Sequence, residues 1–168
     1  MWISQGAACD RCKDVKLPPF QTLLDDFAAD VYRYCVVTAG PGNADDAFQE
    51  TWIAALRAYP KLHRADNLRA WLLRIAHNKS IDEHRSRSRR AVPVATVPEV
   101  PAPAAGDDEP ELWAAVRALP PKQRTAVFSH TVLGMPYAEL ATLLDSTEDA
   151  ARRNVFEGLK KLREEWTR

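Results

Sequence analysis

No stretch of this 168-residue sequence approaches the roughly 18 consecutive apolar residues that a membrane span requires, so insertion into a bilayer is not expected. The opening segment, MWISQGAACDRCK, lacks a basic stretch followed by an apolar one. No secretory leader is read there, and the expected compartment is the cytoplasm. Cysteine is scarce. Cys9, Cys12 and Cys35 are an odd number and too few for a disulfide framework, which fits a reducing environment. Net charge is missing too: 23 Lys plus Arg balance 23 Asp plus Glu, so no global field points to nucleic acid and any such attraction must be local. Neither strand-type alternation nor an internal repeat is present.

What remains is a globular composition, 46% hydrophobic, with helical periodicity on both sides of a proline-rich interruption. Residues 91 to 110, AVPVATVPEVPAPAAGDDEP, hold five of the twelve prolines. Proline fixes φ and removes a backbone donor, so this stretch reads as a semi-extended linker between two small helical domains. The expected division is an N-terminal extension over 1–18, a first domain over 19–90, the linker over 91–110 and a second domain over 111–168.

Three helices are expected in the first domain. In the first, about Pro19 to Thr38, the residues Phe20, Leu23, Leu24, Phe27, Val31 and Cys35 recur at three- and four-residue steps. Asn43 is a candidate N-cap for the second, whose inward stripe is read as Phe48, Trp52, Ala55, Leu56 and Tyr59. The third starts near Asp66 or Asn67 and runs to about Arg90, with Leu68, Trp71, Leu72 and Ile75 inward. Beyond Ile81 it has no apolar residue. Its DEHRSRSRR end is either a solvated helix end or a surface for something else.

The zero net charge hides a dipole. Residues 19 to 58 carry six acidic side chains (Asp25, Asp26, Asp30, Asp45, Asp46, Glu50) and two basic ones, whereas residues 69 to 90 carry seven Lys or Arg against Asp82 and Glu83. A basic helix end can neutralise phosphates, each contact adding about 0.9 to the salt slope on duplex DNA. Trp71 on that helix is either core or a stacking face for an unpaired base. The exposed acids of the second helix would repel DNA and suit a protein partner, unless they are merely solvated.

Beyond the linker, Leu112, Val116 and Leu119 mark a short helix, Pro121 opens the next, to about Leu133, and Tyr137, Leu140, Ala141 and Leu144 mark another. After DST comes a final helix with Ala151, Val155, Leu159, Leu162 and Trp166 inward. The last two helices have helix-turn-helix spacing. Ala141 is small where they would cross, Asp145 tolerates the left-handed turn position, and Ser146 or Thr147 can cap the final helix. That helix then exposes Arg152, Arg153 and Asn154, residue types that bond phosphates and base edges. An ordinary helical hairpin with a basic face is the alternative.

NADDAFQETWIAALRAYPKL, LRAWLLRIAHNKSIDEHRSRSRR and LPPKQRTAVFSHTVLGMPYAELATLLDS, in that order around a proline-rich linker, resemble the extracytoplasmic-function (ECF) sigma factors of bacterial RNA polymerase. The resemblance covers about residues 20 to 166. It implies an all-α fold with a region 2 domain and a helix-turn-helix region 4 domain, and no catalytic activity. It further implies that Asp45, Asp46, Gln49, Glu50 and Trp52 dock on core RNA polymerase. Promoter DNA would meet the protein twice: Asn67, Trp71, Asn78, Asp82, Arg85 and Arg87 at the minus-ten element, and Thr147, Arg152, Arg153 and Asn154 at the minus-thirty-five element. An anti-sigma partner is common in the group. The chain departs from the family pattern in having Asp145 where Gly is usual, Ser146 for an aliphatic residue, Ala150 and Ala151 for Thr-Val, and Arg152, Arg153 and Asn154 for Lys-Ser-Arg.

Two other functions fit fewer residues. A stand-alone helix-turn-helix regulator leaves the acidic helix unexplained, and a thiol oxidoreductase built on Cys9 and Cys12 lacks a strand-helix context. As zinc ligands those two cysteines need two more, and Cys35 and the four histidines offer no matching pair, so no metal or cofactor is expected.

Overall fold

A computed structural model describes residues 17–62, 66–90 and 110–166, with the backbone alone described at 83–90 and 110. All its regular elements are helical: α1 (Phe20–Ala39), α2 (Pro41–Ala58), a 3-10 turn (Tyr59–Lys61), α3 (Leu68–Arg90), α4 (Pro110–Ala118), α5 (Pro121–Thr131), α6 (Tyr137–Leu143) and α7 (Glu148–Trp166). Helices α1, α2 and α3 pack on one another, as do α5, α6 and α7, with α4 against α7. The fold class is therefore the all-α, two-domain one expected. Pro110, the last proline of the 91–110 segment, is already the first residue of α4, where a missing N–H costs nothing. Residues 1–16 and 91–109, with Cys9, Cys12 and most of the proline-rich segment, lie outside the described residues.

A single residue separates α1 from α2. Gly40 takes φ 86°, a region that disfavours side chains, and Pro41 follows as the first residue of α2. Asn43 is consequently not the N-cap: it sits inside α2, and its side-chain amide donates to the Ala39 carbonyl at 3.0 Å. Pro41 and the left-handed Gly40 start the helix earlier than the cap signal implied.

The core of the first domain is built on Leu23, Val31, Tyr34, Cys35, Val37, Ala44, Ala47, Trp52, Ala55, Leu72, Leu73 and Ala76. Each large aliphatic residue so buried contributes about 1.5–3 kcal/mol. Phe20 packs edge-on to both Trp52 and Tyr59, at 5.8 and 5.3 Å between ring centroids, closing α1 over the end of α2. Several polar groups within this core are paired, whereas Trp52 Nε1 and Asn43 Oδ1 are buried without a hydrogen-bond partner. The Tyr34 hydroxyl meets His77 Nδ1 at 2.8 Å, and the Thr38 hydroxyl donates to the Tyr34 carbonyl at 2.7 Å while lying 2.9 Å from the Ser80 hydroxyl. Cys35 is buried beside Ser80 and Thr51, and burial pushes its thiol up to about 11, so it is an inert core residue.

Three residues assigned inward from periodicity face out. Leu56 is 55% exposed, and Leu159 and Trp166 also lie on the surface. In α7 the inward line runs through Ala151, Val155 and Gly158 instead. Gly158 lets α7 approach α5 so closely that a Cβ there would stand 2.5 Å from a methyl of Val127. With the helices that near, Leu159, one position on, turns to solvent.

Candidate functional site

Three surfaces carry the polar residues singled out in the sequence. On α2, the 3.6-residue period that buries Ala44, Ala47, Thr51, Trp52 and Ala55 leaves Asp45, Asp46, Gln49 and Glu50 exposed. Ile53 and Leu56 share that outer face: from Gln49 to Ile53 is four residues, and from Ile53 to Leu56 three. These two exposed aliphatic side chains were not singled out in the sequence as a surface feature; the signal was present in their spacing from Gln49. Trp52 does not belong to the outer face. It is buried, with its ring against Phe20 and Phe48, and it fixes the pose of α2. Glu50 reaches across to α3, its carboxylate 3.7 Å from Lys79 Nζ.

On α3, residues 67, 71, 74, 78 and 82 follow at steps of four, three, four and four, forming one longitudinal stripe. Asn67 starts it as a helix cap, its side-chain oxygen accepting from the Ala70 N–H at 2.9 Å. Trp71 is half-buried with its ring tilted 6.2 Å from Tyr59, so it has both a core-facing part and an open part. Asn78 and Asp82 are exposed, and with Arg74 and His77 they line a cleft of about 890 Å³. Burial lowers the affinity of His77 for a proton, which leaves its ring neutral against Tyr34. Arg85 and Arg87 fall on the last turns of α3, and their side chains lie outside the described residues.

The third surface is the helix-turn-helix of α6 and α7. Asp145 takes φ 48° in the turn, the left-handed position that its short polar side chain tolerates. The Ser146 N–H donates to the Ala141 carbonyl at 2.9 Å, and Ala141 is buried where the helices approach. Thr147, rather than Ser146, caps α7: its hydroxyl accepts from the Ala150 N–H at 3.2 Å. Glu148 and Asp149 occupy the first turn, where they complement the helix dipole.

Arg152, Arg153 and Asn154 differ in environment. The Arg152 guanidinium pairs with Glu148 at 3.0 Å and lies 5.0 Å from the centre of the Tyr137 ring, on which His130 stacks at 4.2 Å. Arg153 is exposed with no such partner among the described residues, and Asn154 is half-buried. One turn on, Phe156 is 69% exposed. Among the described residues no three His, Cys, Asp or Glu side chains gather as a metal site would need, and no helix is long and apolar enough to cross a membrane.

Residues 23–90 match the family model described as Sigma-70 region 2, and residues 110–162 match Sigma-70, region 4. The chain is 31% identical over 158 residues to the ECF RNA polymerase sigma factor SigD of Mycobacterium tuberculosis, covering 85% of this chain and 74% of that protein. It is 28% identical over 169 residues to the RNA polymerase sigma factor CarQ of Myxococcus xanthus, covering 92% and 93%. Its fold is similar to that of the sigma factor RpoE in a complex with the anti-sigma factor NepR from Bartonella quintana, with a TM-score of 0.74, 22% identity and coverage of 86% and 94%. It is also similar to that of CnrH in a complex with the cytosolic domain of CnrY, with a TM-score of 0.64, 21% identity and coverage of 88% and 87%.

Proposed function

The chain belongs to the ECF RNA polymerase sigma factors, and from that premise we propose how its surfaces divide the work of a promoter-specificity subunit. As a sigma subunit it binds core polymerase and directs initiation at particular promoters; the chemistry of RNA synthesis belongs to the core enzyme. The outer face of α2 is the docking surface for core polymerase. Asp45, Asp46, Gln49 and Glu50 supply polar contacts, and Ile53 and Leu56 supply apolar area. Exposed aliphatic side chains ringed by charge are what a protein interface uses at its centre and rim. Trp52 is a positioning residue here, because its burial sets which residues of α2 face out.

The stripe on α3 takes the minus-ten element. Asn67 and Asn78 offer amides to base edges, the open part of Trp71 offers a stacking surface, and the guanidinium groups of Arg85 and Arg87 supply the charge that phosphates need. Helix α7 takes the minus-thirty-five element, with Thr147, Arg153 and Asn154 toward the major groove and Arg152 held by Glu148 and Tyr137. The protein works in the cytoplasm without a cofactor, and an anti-sigma factor covers its docking surfaces when it is silent.

The observation that carries the division of labour is an acidic, part-apolar outer face on α2 beside a polar stripe on α3 through Asn67, Trp71, Arg74, Asn78 and Asp82, the two helices being joined by Glu50 and Lys79. Its test is retention of purified core polymerase by the tagged chain and by Glu50→Lys. Weaker retention by the variant, with circular dichroism unchanged, is the expected result; equal retention would remove Glu50 from the interface.

A further inference from the structure

Glu148 is the first residue of α7, directly after the Thr147 cap. A carboxylate is a costly occupant of a helix that approaches phosphates, and complementing the helix dipole requires only its charge. Its neighbour Asp149 supplies such a charge with no hydrogen bond or ion pair among the described residues. Glu148 is instead held in place. Arg152, one turn on, donates from Nη2 to Glu148 Oε1 at 3.0 Å, and the same guanidinium lies 5.0 Å from the centre of the Tyr137 ring.

The support continues behind that ring. Tyr137 is the half-buried first residue of α6, and His130 of α5 stacks on it at 4.2 Å with 24° between the planes. His130 is fixed in turn, its Nδ1 donating to the Met135 carbonyl at 2.9 Å. A line of contacts thus runs from the α5–α6 connection through His130, Tyr137 and Arg152 to one carboxylate. Glu148 remains 52% exposed, and its Oε2 has no partner among the described residues. The arrangement orients an acceptor toward solvent and offsets its charge.

The N-terminal residues of a recognition helix are those that meet base edges in the major groove. An ionised carboxylate can only accept hydrogen bonds. Guanine presents the acceptors O6 and N7 there, thymine presents O4, and adenine sets the acceptor N7 beside its amine, whereas cytosine presents the N4 amine alone. Given the assignment of α7 to the minus-thirty-five element, on which this rests, we propose that Glu148 is a specificity-determining residue of that element. Its carboxylate, positioned by Arg152 on the Tyr137 ring, accepts from the N4 amine of one cytosine and disfavours the other bases at that position.

The test uses the full chain bound to core polymerase and a promoter, found by run-off transcription, whose minus-thirty-five region is randomised; transcripts are sequenced to give the base preference at each position. Wild type is expected to favour cytosine at one position by about tenfold. Glu148→Ala should level that position and leave the others, and Glu148→Gln should move it to adenine, whose N6 and N7 a glutamine amide matches. If Glu148 served only the helix dipole or the overall charge, Glu148→Ala would change output from all sequences alike and keep the same preferences, which would overturn the proposal. Tyr137→Phe keeps the ring face and should keep the cytosine preference, whereas Tyr137→Leu should reduce it by about two- to fivefold at that position alone. A uniform loss across positions in Tyr137→Leu would make Tyr137 a merely structural residue and remove it from the proposal. Arg153→Ala is the control for the underlying assignment. If it alters the preferences while the Glu148 variants do not, only the role of Glu148 fails; if wild type shows no preference anywhere in the randomised region, the assignment of α7 fails and takes the proposal with it.

Discussion

The Tyr34 hydroxyl on α1 and His77 Nδ1 on α3 meet at 2.8 Å, a pairing that spans 43 positions of sequence and ties the first domain together behind the α3 stripe. Burial lowers the pKa of His77, so the folded chain disfavours the imidazolium relative to the unfolded chain, whose histidine titrates near about 6.5. Between those two values the unfolded state binds more protons, and stability rises with pH. Full stability is therefore present above the unfolded value and is lost as pH falls through the lowered native one. Urea midpoints measured from pH 7.5 down to 5 should fall in wild type and fall less in His77→Gln.

Ile53 and Leu56 are exposed, so changing them should leave the fold intact. Ile53→Ser with Leu56→Ser is expected to weaken core polymerase binding by about 1–3 kcal/mol, in the range of apolar interface residues, with a thermal midpoint close to wild type. Biolayer interferometry with purified core measures it. An unchanged affinity would place the docking surface elsewhere.

Arg153 and Arg152 should separate in their effects on the upstream element. Arg153 has no ion-pair partner among the described residues, whereas Arg152 is engaged by Glu148 and Tyr137. Arg153→Ala is expected to weaken binding to the minus-thirty-five duplex and, if it contacts a phosphate, to lower the salt slope by about 0.9. Arg152→Ala should weaken binding less, and part of its effect should come from the lost contact with Tyr137. Gel shifts at several salt concentrations separate the two variants.

At Gly158 the backbone of α7 lies close against Val127 and Gln123 of α5. Gly158→Ala should destabilise the chain by about 1–3 kcal/mol through overpacking against Val127. Pairing it with Val127→Ala removes the methyl that clashes and should recover part of the loss, as read by thermal denaturation.

Much of this was legible in the residues because the cues were local. The left-handed turn at Asp145, the small Ala141 and the Thr147 cap all lie within a few residues of one another, and the structure has each where local chemistry puts it. Periodicity failed where it had to choose between neighbouring positions on a helix. Leu56 and Leu159 each sit one position from a buried small residue, and only the approach of another helix decides which is covered. Contact between the domains was not legible at all. It depends on Asn67 meeting Glu139 and Arg69 meeting the Leu133 carbonyl, pairs separated by 72 and 64 positions, and no local pattern encodes them.

The central claim is tested most directly by run-off transcription from genomic promoter fragments with purified core polymerase, with and without this protein. Promoter-specific transcripts that require the protein are the predicted result, and their start sites would supply the two promoter elements. Absence of such transcripts across the fragments, with no core polymerase retained by the chain, would contradict it.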